Sequence, residues 1–166
     1  MKMVVLPVEE VSLDLENPRI ARILDIYKDR DTLPPEAIAL ALGTDSPDAP
    51  SGDTFTSYRA LRESIKINGG IIQPIIVNHT EENGYVVIEG NTRLQIYKDF
   101  KSKGVAGDWG SIPANVNENL TKEQIDAIRL QSHLVGPRPW DPYSKAKYLH
   151  HLSKVELMSL NRIIDF

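Results

Sequence analysis

The residues whose types and spacing could do chemistry are concentrated between Tyr85 and Arg93. An apolar, β-prone run stops at Glu89, Gly90 follows, and a helix-type pattern begins directly afterwards. Glycine at a strand-to-helix turn lets the backbone come close to a ligand, and the first free N–H groups of the helix favour an anion there. Arg93 lies in the first helical turn, where its guanidinium can bind phosphate or carboxylate oxygens. The pattern therefore predicts a phosphate site.

The carboxylate beside this turn has two interpretations. Glu89 can be a ligand for Mg²⁺ or a catalytic base, or it can simply pair with Arg93. Arg93 can likewise be a plain surface arginine, although a cation near the positive end of a helix dipole favours a compensating anion. Gln73 is a further candidate, for contact with a nucleobase edge, and Arg19 for contact with the nucleotide. For both residues a structural turn is the alternative.

Hydrophobic periodicity indicates the elements that must position the turn. Alternating apolar residues predict strands at residues 4–11, 75–77, 85–88 and 112–116. Helical spacing and end signals predict helices at residues 20–27, 37–42, 56–68, 91–103, 122–130, 142–154 and 155–166. Because the two types do not alternate regularly, we expect an α+β fold. Its small mixed sheet carries the strand–Gly-x-x-Arg–helix turn, helices flank it, and the C-terminal part is helical.

Three of these predictions are specific enough to be checked residue by residue. Thr56 is expected to be the N-cap of its helix, and Thr121 with Gln124 to form a capping box. The strands at residues 75–77 and 85–88 are expected to form a hairpin. The helix after Gly90 is expected to bury its apolar residues, which are Leu94, Ile96, Tyr97 and Phe100.

Composition limits the classes of protein that this chain can represent. Its 166 residues are enough for one domain with a core, and 41% hydrophobic with 25% charged residues is ordinary for a globular protein. The absence of cysteine excludes disulfides, cysteine-based zinc sites and thiol catalysis, and it agrees with a cytoplasmic location. The net charge of −4 argues against nonspecific coating of nucleic acid, and no apolar run is long enough to span a membrane.

The order of the motifs is more informative than any one of them. They are Asn17-Pro18-Arg19, Leu61-Arg62-Glu63-Ser64-Ile65, Gly69-Gly70-Ile71-Ile72-Gln73-Pro74-Ile75 and Val87-Ile88-Glu89-Gly90-Asn91-Thr92-Arg93-Leu94. In this order and spacing, over about residues 4–150, they resemble the ParB N-terminal domain of the ParB/sulfiredoxin-like superfamily.

The resemblance implies a role for the turn. In that family the Gly-x-x-Arg turn at the head of a helix binds nucleotide phosphates, so Gly90, Asn91, Thr92 and Arg93 would form the phosphate loop, with Glu89 beside them. ParB partition proteins bind and hydrolyse CTP with magnesium and clamp DNA, sulfiredoxins use ATP, and some relatives phosphorylate free serine or are described as nucleases. The resemblance thus implies CTP or ATP with Mg²⁺ as cofactor.

The chain departs from the family pattern at three places. Thr92 stands where partition proteins usually carry a second arginine, and residues 132–136 (SHLVG) stand in place of Glu-Asn-x-x-Arg. Asn91 replaces the sulfiredoxin cysteine, which excludes sulfiredoxin chemistry. The departures leave open whether the chain hydrolyses a nucleotide.

The leading expectation is a ParB-like nucleotide-binding domain of a DNA-associated protein, with DNA and a second copy as further partners. A Mg-dependent nuclease or a small-molecule, serine-type kinase on the same fold is the alternative, and a non-catalytic interaction module is a third. Residues 1–135 are expected to form the nucleotide-binding domain. Residues 136–166 are expected to form a helical extension, the start of a truncated DNA-binding region.

Overall fold

The computed structural model describes residues 1–18, 20, 53–134 and 142–154. Within them, the strands are β1 (Lys2–Pro7), β2 (Val11–Ser12), β3 (Ile75–Thr80), β4 (Gly84–Glu89) and β5 (Ser111–Glu118). The helices are α1 (Asp53–Asn68), α2 (Asn91–Ser102), α3 (Lys122–Leu134) and α4 (Pro142–Lys154). The expected α+β class, with a small sheet flanked by helices, is confirmed. The helices predicted at residues 20–27, 37–42 and 155–166 lie outside the described residues, Ile20 excepted.

The sheet is mixed and has the strand order β1-β5-β3-β4-β2. β5 lies antiparallel to β1 and parallel to β3, while β4 lies antiparallel to β3 and parallel to β2. β3 and β4 form the predicted hairpin, in which Thr80 pairs with Gly84. The hairpin directs the end of β4, at Glu89, straight into the turn before α2.

The single strand predicted at residues 4–11 is wrong. β1 ends at Pro7 and pairs with β5, whereas β2 begins at Val11 and pairs with β4 at the opposite edge of the sheet. A turn closed by the Glu10 N–H on the Pro7 carbonyl, at 3.1 Å, separates them. The apolar pattern runs through the break because Val8 and Val11 are both buried in the same core. Periodicity alone therefore could not show where the strand stops.

Helix α2 supplies the centre of the core. The four predicted apolar residues, Leu94, Ile96, Tyr97 and Phe100, are all buried. The Phe100 ring lies 4.7 Å from the Trp109 ring, centroid to centroid, and belongs to the same buried cluster as Tyr58 and Ile65 of α1. Burying each large side chain contributes roughly 1.5–3 kcal/mol, so α2 is held firmly against the sheet.

One predicted helix cap is confirmed and the other is wrong. Before α3, the Gln124 N–H donates to Thr121 Oγ1 at 3.3 Å and the Thr121 N–H donates to Gln124 Oε1 at 3.0 Å. This is the reciprocal capping box. Thr56, in contrast, lies inside α1, which begins at Asp53. An aspartate is equally suited to the positive end of a helix, and it comes three positions earlier.

Helix α4 packs on α3 through a second, smaller cluster. Its buried members are Leu130, Tyr148 and Leu152. The predicted helix at Pro142–Lys154 is thus confirmed, and the boundary expected at residues 135 and 136 stays a prediction. None of the helices in the described ranges is long and apolar enough to cross a membrane.

Candidate functional site

The backbone at Gly90 makes the turn between β4 and α2. Gly90 has φ 109° and ψ 21°, a conformation that residues with a side chain rarely adopt. A Cβ atom here would lie 2.6 Å from Ile75 Cγ2 and 3.3 Å from Arg93 Nε. The hairpin and the start of α2 can therefore approach this closely only around a glycine.

The start of α2 has backbone donors that can bind an anion. Gly90 offers no side-chain cap, and the first intrahelical bond joins the Leu94 N–H to the Gly90 carbonyl at 3.0 Å. The N–H groups of Asn91, Thr92 and Arg93 precede that bond, so helix geometry gives them no acceptor inside α2. No acidic residue stands in the first turn. These donors and the helix dipole favour negative charge at this point.

The Arg93 guanidinium is engaged by three groups of the protein. Its Nη2 donates to Glu89 Oε2, and its Nη1 donates to the backbone carbonyls of Gln73 at 2.6 Å and Pro74 at 3.3 Å. The Arg93 side chain is 14% exposed and that of Glu89 22%. The pairing that the sequence offered as one interpretation is therefore present. Arg93 fastens the segment before β3 to the end of β4, and its outer side stays within reach of solvent.

The structure brings most of the predicted site residues together. Glu89, Gly90 and Arg93 are joined directly, and Gln73 meets them through its backbone carbonyl while the residue itself is exposed. Asn91 and Thr92 are 6% and 8% exposed. Arg19 lies outside the described residues.

Two buried residues of the site were missed by sequence analysis. The Asp14 N–H donates to Asn91 Oδ1 at 3.0 Å, and the Asp14 carboxylate receives Arg129 Nη2 at 2.7 and 2.8 Å and Arg129 Nε at 3.0 Å. Both side chains of this ion pair are 5% exposed. Asp14 and Arg129 stand 115 positions apart, and no local motif contains either. Only the fold could reveal the pair.

Further polar contacts connect this ion pair to helix α4. Arg129 Nη1 lies 3.2 Å from Asp126 Oδ1, and the Tyr148 hydroxyl of α4 donates to the same carboxylate oxygen. Burial raises the pKa of the Asp14 carboxyl, and contact with Arg129 offsets part of that rise. Burial also raises the pKa of Tyr148, and its bond to Asp126 adds to that effect. A hydrogen-bonded chain thus runs from Asn91 to α4.

The donor set fits a phosphate better than a free metal ion. Within the described part of the chain, no three His, Asp or Glu side chains are close enough to hold a metal. The one carboxylate at the turn, Glu89, is paired with Arg93. Magnesium commonly binds through one or two carboxylates together with substrate phosphates. Glu89 could therefore hold Mg²⁺ only if a bound anion displaced it from Arg93.

The described residues also form an open cleft of about 420 Å³. Its lining includes Val5, Ile72, Tyr97 and Asp108, and it contains none of the residues predicted for the site. Burial raises the pKa of the Tyr97 hydroxyl, which accepts the Ile71 N–H at 3.0 Å. Tyr97 therefore holds the segment before β3 in place.

Two sequence comparisons show which proteins this chain is similar to. Residues 52–133 match the model of the ParB N-terminal domain family. A nucleoid occlusion protein from Lysinibacillus sphaericus is 32% identical over 93 residues, which make up 53% of this chain and 28% of that protein. The chain thus spans little more than a quarter of the length of this relative.

Comparison with solved structures shows a shared fold. The C-terminally truncated chromosome-partitioning protein ParB from Caulobacter crescentus, complexed to the centromeric parS site, aligns with a TM-score of 0.50 at 13% identity. The alignment covers 98% of this chain and 63% of that one. The same protein complexed with CTP-gamma-S aligns with a TM-score of 0.48 at 16% identity, covering 98% and 69%. The solved structures show the fold, and the family match over residues 52–133 identifies this chain as a ParB N-terminal domain-like protein.

Proposed function

We propose that the turn at Gly90–Arg93 binds the phosphates of a nucleoside triphosphate, CTP or ATP, in a cytoplasmic, DNA-associated protein. The observation that carries the proposal is the start of α2. A glycine with φ 109° lets β3 and the start of α2 approach closely, and the following N–H groups have no acceptor within the helix. Such a helix start favours phosphate over a neutral or cationic ligand.

Two relatives support the choice of nucleotide and the association with DNA. ParB from Caulobacter crescentus has been crystallised with CTP-gamma-S and with its parS site, and the sequence relative is a nucleoid occlusion protein. We therefore take CTP as the first candidate, ATP as the second, and DNA as the macromolecular partner. The helical extension from residue 136 would lead toward the DNA-binding part.

Binding would exchange the partners of Arg93. A phosphate oxygen would displace the Glu89 carboxylate from the guanidinium, since both are anionic acceptors for the same donors. Glu89 would then be free to hold the Mg²⁺ that arrives on the phosphates. The carbonyls of Gln73 and Pro74 would keep Arg93 in place during the exchange.

Calorimetry and thermal shift with CTP, ATP, GTP and UTP, each with and without Mg²⁺, test this proposal. A ligand at 100 times its Kd should stabilise the native protein by about 2.7 kcal/mol. Arg93→Ala should lose binding. Lys103→Ala, which removes the same charge at an exposed position just after α2, should keep it. Wild-type protein that saturates with none of the four nucleotides would contradict the proposal.

An enzymatic role is the second candidate, and it depends on the partly exposed carboxylate of Glu89 at the turn. A Mg-dependent nuclease or a serine-type kinase would need Glu89 for turnover. Glu89→Gln should then abolish product formation and leave nucleotide binding intact. Plasmid DNA with Mg²⁺, and ATP with free serine, are the two substrates to assay. If neither assay gives a product, this candidate is ruled out. If the protein also binds no nucleotide, a non-catalytic interaction module is favoured.

Sedimentation velocity with and without CTP tests the expected homodimer. A second copy recruited by the nucleotide would double the apparent mass. An unchanged monomer in both states would contradict the expectation.

A further inference from the structure

The amide of Asn91 is held in one orientation. Its Oδ1 accepts the Asp14 N–H at 3.0 Å, and a backbone N–H can only donate. The amide oxygen must therefore face Asp14, which leaves Nδ2 as a donor on the other side. Nδ2 is buried and has no hydrogen-bond partner among the described residues, although Asn91 stands at the head of α2. The turn thus holds a directed donor whose acceptor is not part of this region of the protein.

The Asp14 backbone is fixed in turn by Arg129. Three contacts of 2.7 to 3.0 Å join the guanidinium to both oxygens of Asp14 in a bidentate arrangement. The pair is almost fully buried, and such a pair commonly adds little to stability compared with apolar residues of similar size. Its geometry, in contrast, allows very little movement of the segment that holds Asn91.

We propose that Asp14 and Arg129 are positioning residues for the ligand site, because they orient the Asn91 amide so that Nδ2 donates to an acceptor oxygen of the bound phosphate. This inference rests on the proposed function. It also assigns a chemical role to Asn91. A nitrogen donor cannot ligate a cation, so Asn91 binds the anion itself and Mg²⁺ is left to Glu89 and the phosphates. Because Nδ2 is buried, the acceptor oxygen must enter the turn.

Asn91→Asp removes the donor. The carboxylate keeps an oxygen for the Asp14 N–H, replaces the NH₂ group and places a negative charge beside the phosphate, so the lost donor and charge repulsion both weaken binding. Asn78→Asp is the matched control, because Asn78 is similarly buried and its Oδ1 accepts the Leu120 N–H at 3.0 Å. With CTP or ATP and Mg²⁺ as probes, Asn91→Asp should weaken binding roughly 10- to 100-fold. Asn78→Asp should change it by less than about twofold.

The outcomes separate the two proposals. If wild-type protein binds no nucleotide, the proposed function fails. If wild-type protein binds and Asn91→Asp binds equally well, the proposed function stands and the inference is overturned, as expected if an internal water satisfies Nδ2.

A double variant, Asp14→Leu with Arg129→Met, tests the positioning role and also decides the matter if Asn91→Asp does not fold. It removes the charges of Asp14 and Arg129 together and keeps the backbone N–H at position 14. The buried Asp126 carboxylate, which loses Arg129, keeps its hydrogen bond from the Tyr148 hydroxyl. We expect a cooperative melt, weaker nucleotide binding, and side-chain amide NMR signals of Asn91 that are broadened or shifted. Unchanged Asn91 signals and unchanged affinity would show that the ion pair serves stability alone.

Discussion

Replacing Gly90 with alanine should disturb the turn through two independent physical effects. The φ of 109° is unfavourable for a residue with a Cβ, at a cost of about 1–2 kcal/mol for a positive-φ residue. The new methyl group would also lie 2.6 Å from Ile75 Cγ2, which is buried and cannot withdraw into solvent. Overpacking of this kind costs about 1–3 kcal/mol, so the sum is about 2–5 kcal/mol.

Gly84→Ala is the matched control for this experiment. Gly84 also has a positive φ, 63°, but no atom lies within 4 Å of the position of its Cβ. It should therefore show the backbone cost alone, about 1–2 kcal/mol. Since each kcal/mol lowers Tm by about 2–4 °C in a chain of this length, the Gly90 variant should melt clearly below the Gly84 variant.

Differential scanning calorimetry and a CTP titration of both variants provide the assay. We expect Gly90→Ala to melt lower and to bind nucleotide poorly, because the methyl group also pushes against Arg93 Nε. Gly84→Ala should bind like wild type. Equal melting temperatures for the two variants, with binding retained in both, would refute the reasoning about the turn.

Three further predictions concern stability. Thr121→Ala removes one half of the capping box and should cost about 0.5–2 kcal/mol in urea unfolding. Leu152→Ala empties a fully buried position at a cost of about 2–5 kcal/mol, and hydrogen exchange should rise in α4 before it rises in the sheet. Burial lowers the pKa of Lys98 below 10.5, so the unfolded chain binds more protons and this lysine makes stability increase as pH rises toward 10.5. Lys98→Met should remove that increase in unfolding curves measured between pH 8 and 10.5, and an unchanged slope would contradict it.

Features encoded by neighbouring residues were predictable from the sequence. The turn at Gly90 requires only a strand, a glycine and a helix in succession, and the capping box requires only Thr121 and Gln124. Both were found because the interactions that form them are local. The spacing of Glu89 and Arg93 permitted an ion pair and a ligand contact equally. The pairing became evident only in the folded structure.

Features that depend on distant parts of the chain were not predictable in the same way. Asp14 and Arg129 meet because β2 and α3 both pack beside β4, and neither residue carries a local signature. The break after Pro7 was missed for the related reason that one apolar pattern serves two strands. In both cases the structure depends on which strands and helices pack together. A single sequence does not contain that information.

The two N-terminal strands impose a shape on the whole sheet. Pro7 and Val11 are four Cα steps apart and so lie within about 14 Å of each other. β1 and β2 nevertheless form opposite edges, which in a flat sheet of five strands would be about 19 Å apart. The sheet must therefore be curved, and Lys98 and Lys101 of α2 bind Val11 of β2 and Glu9 of the connecting segment. Residues 7–11 join the two edges of this curved sheet directly. Their loss would let the edges move apart and flatten the sheet, instead of only shortening it by one strand.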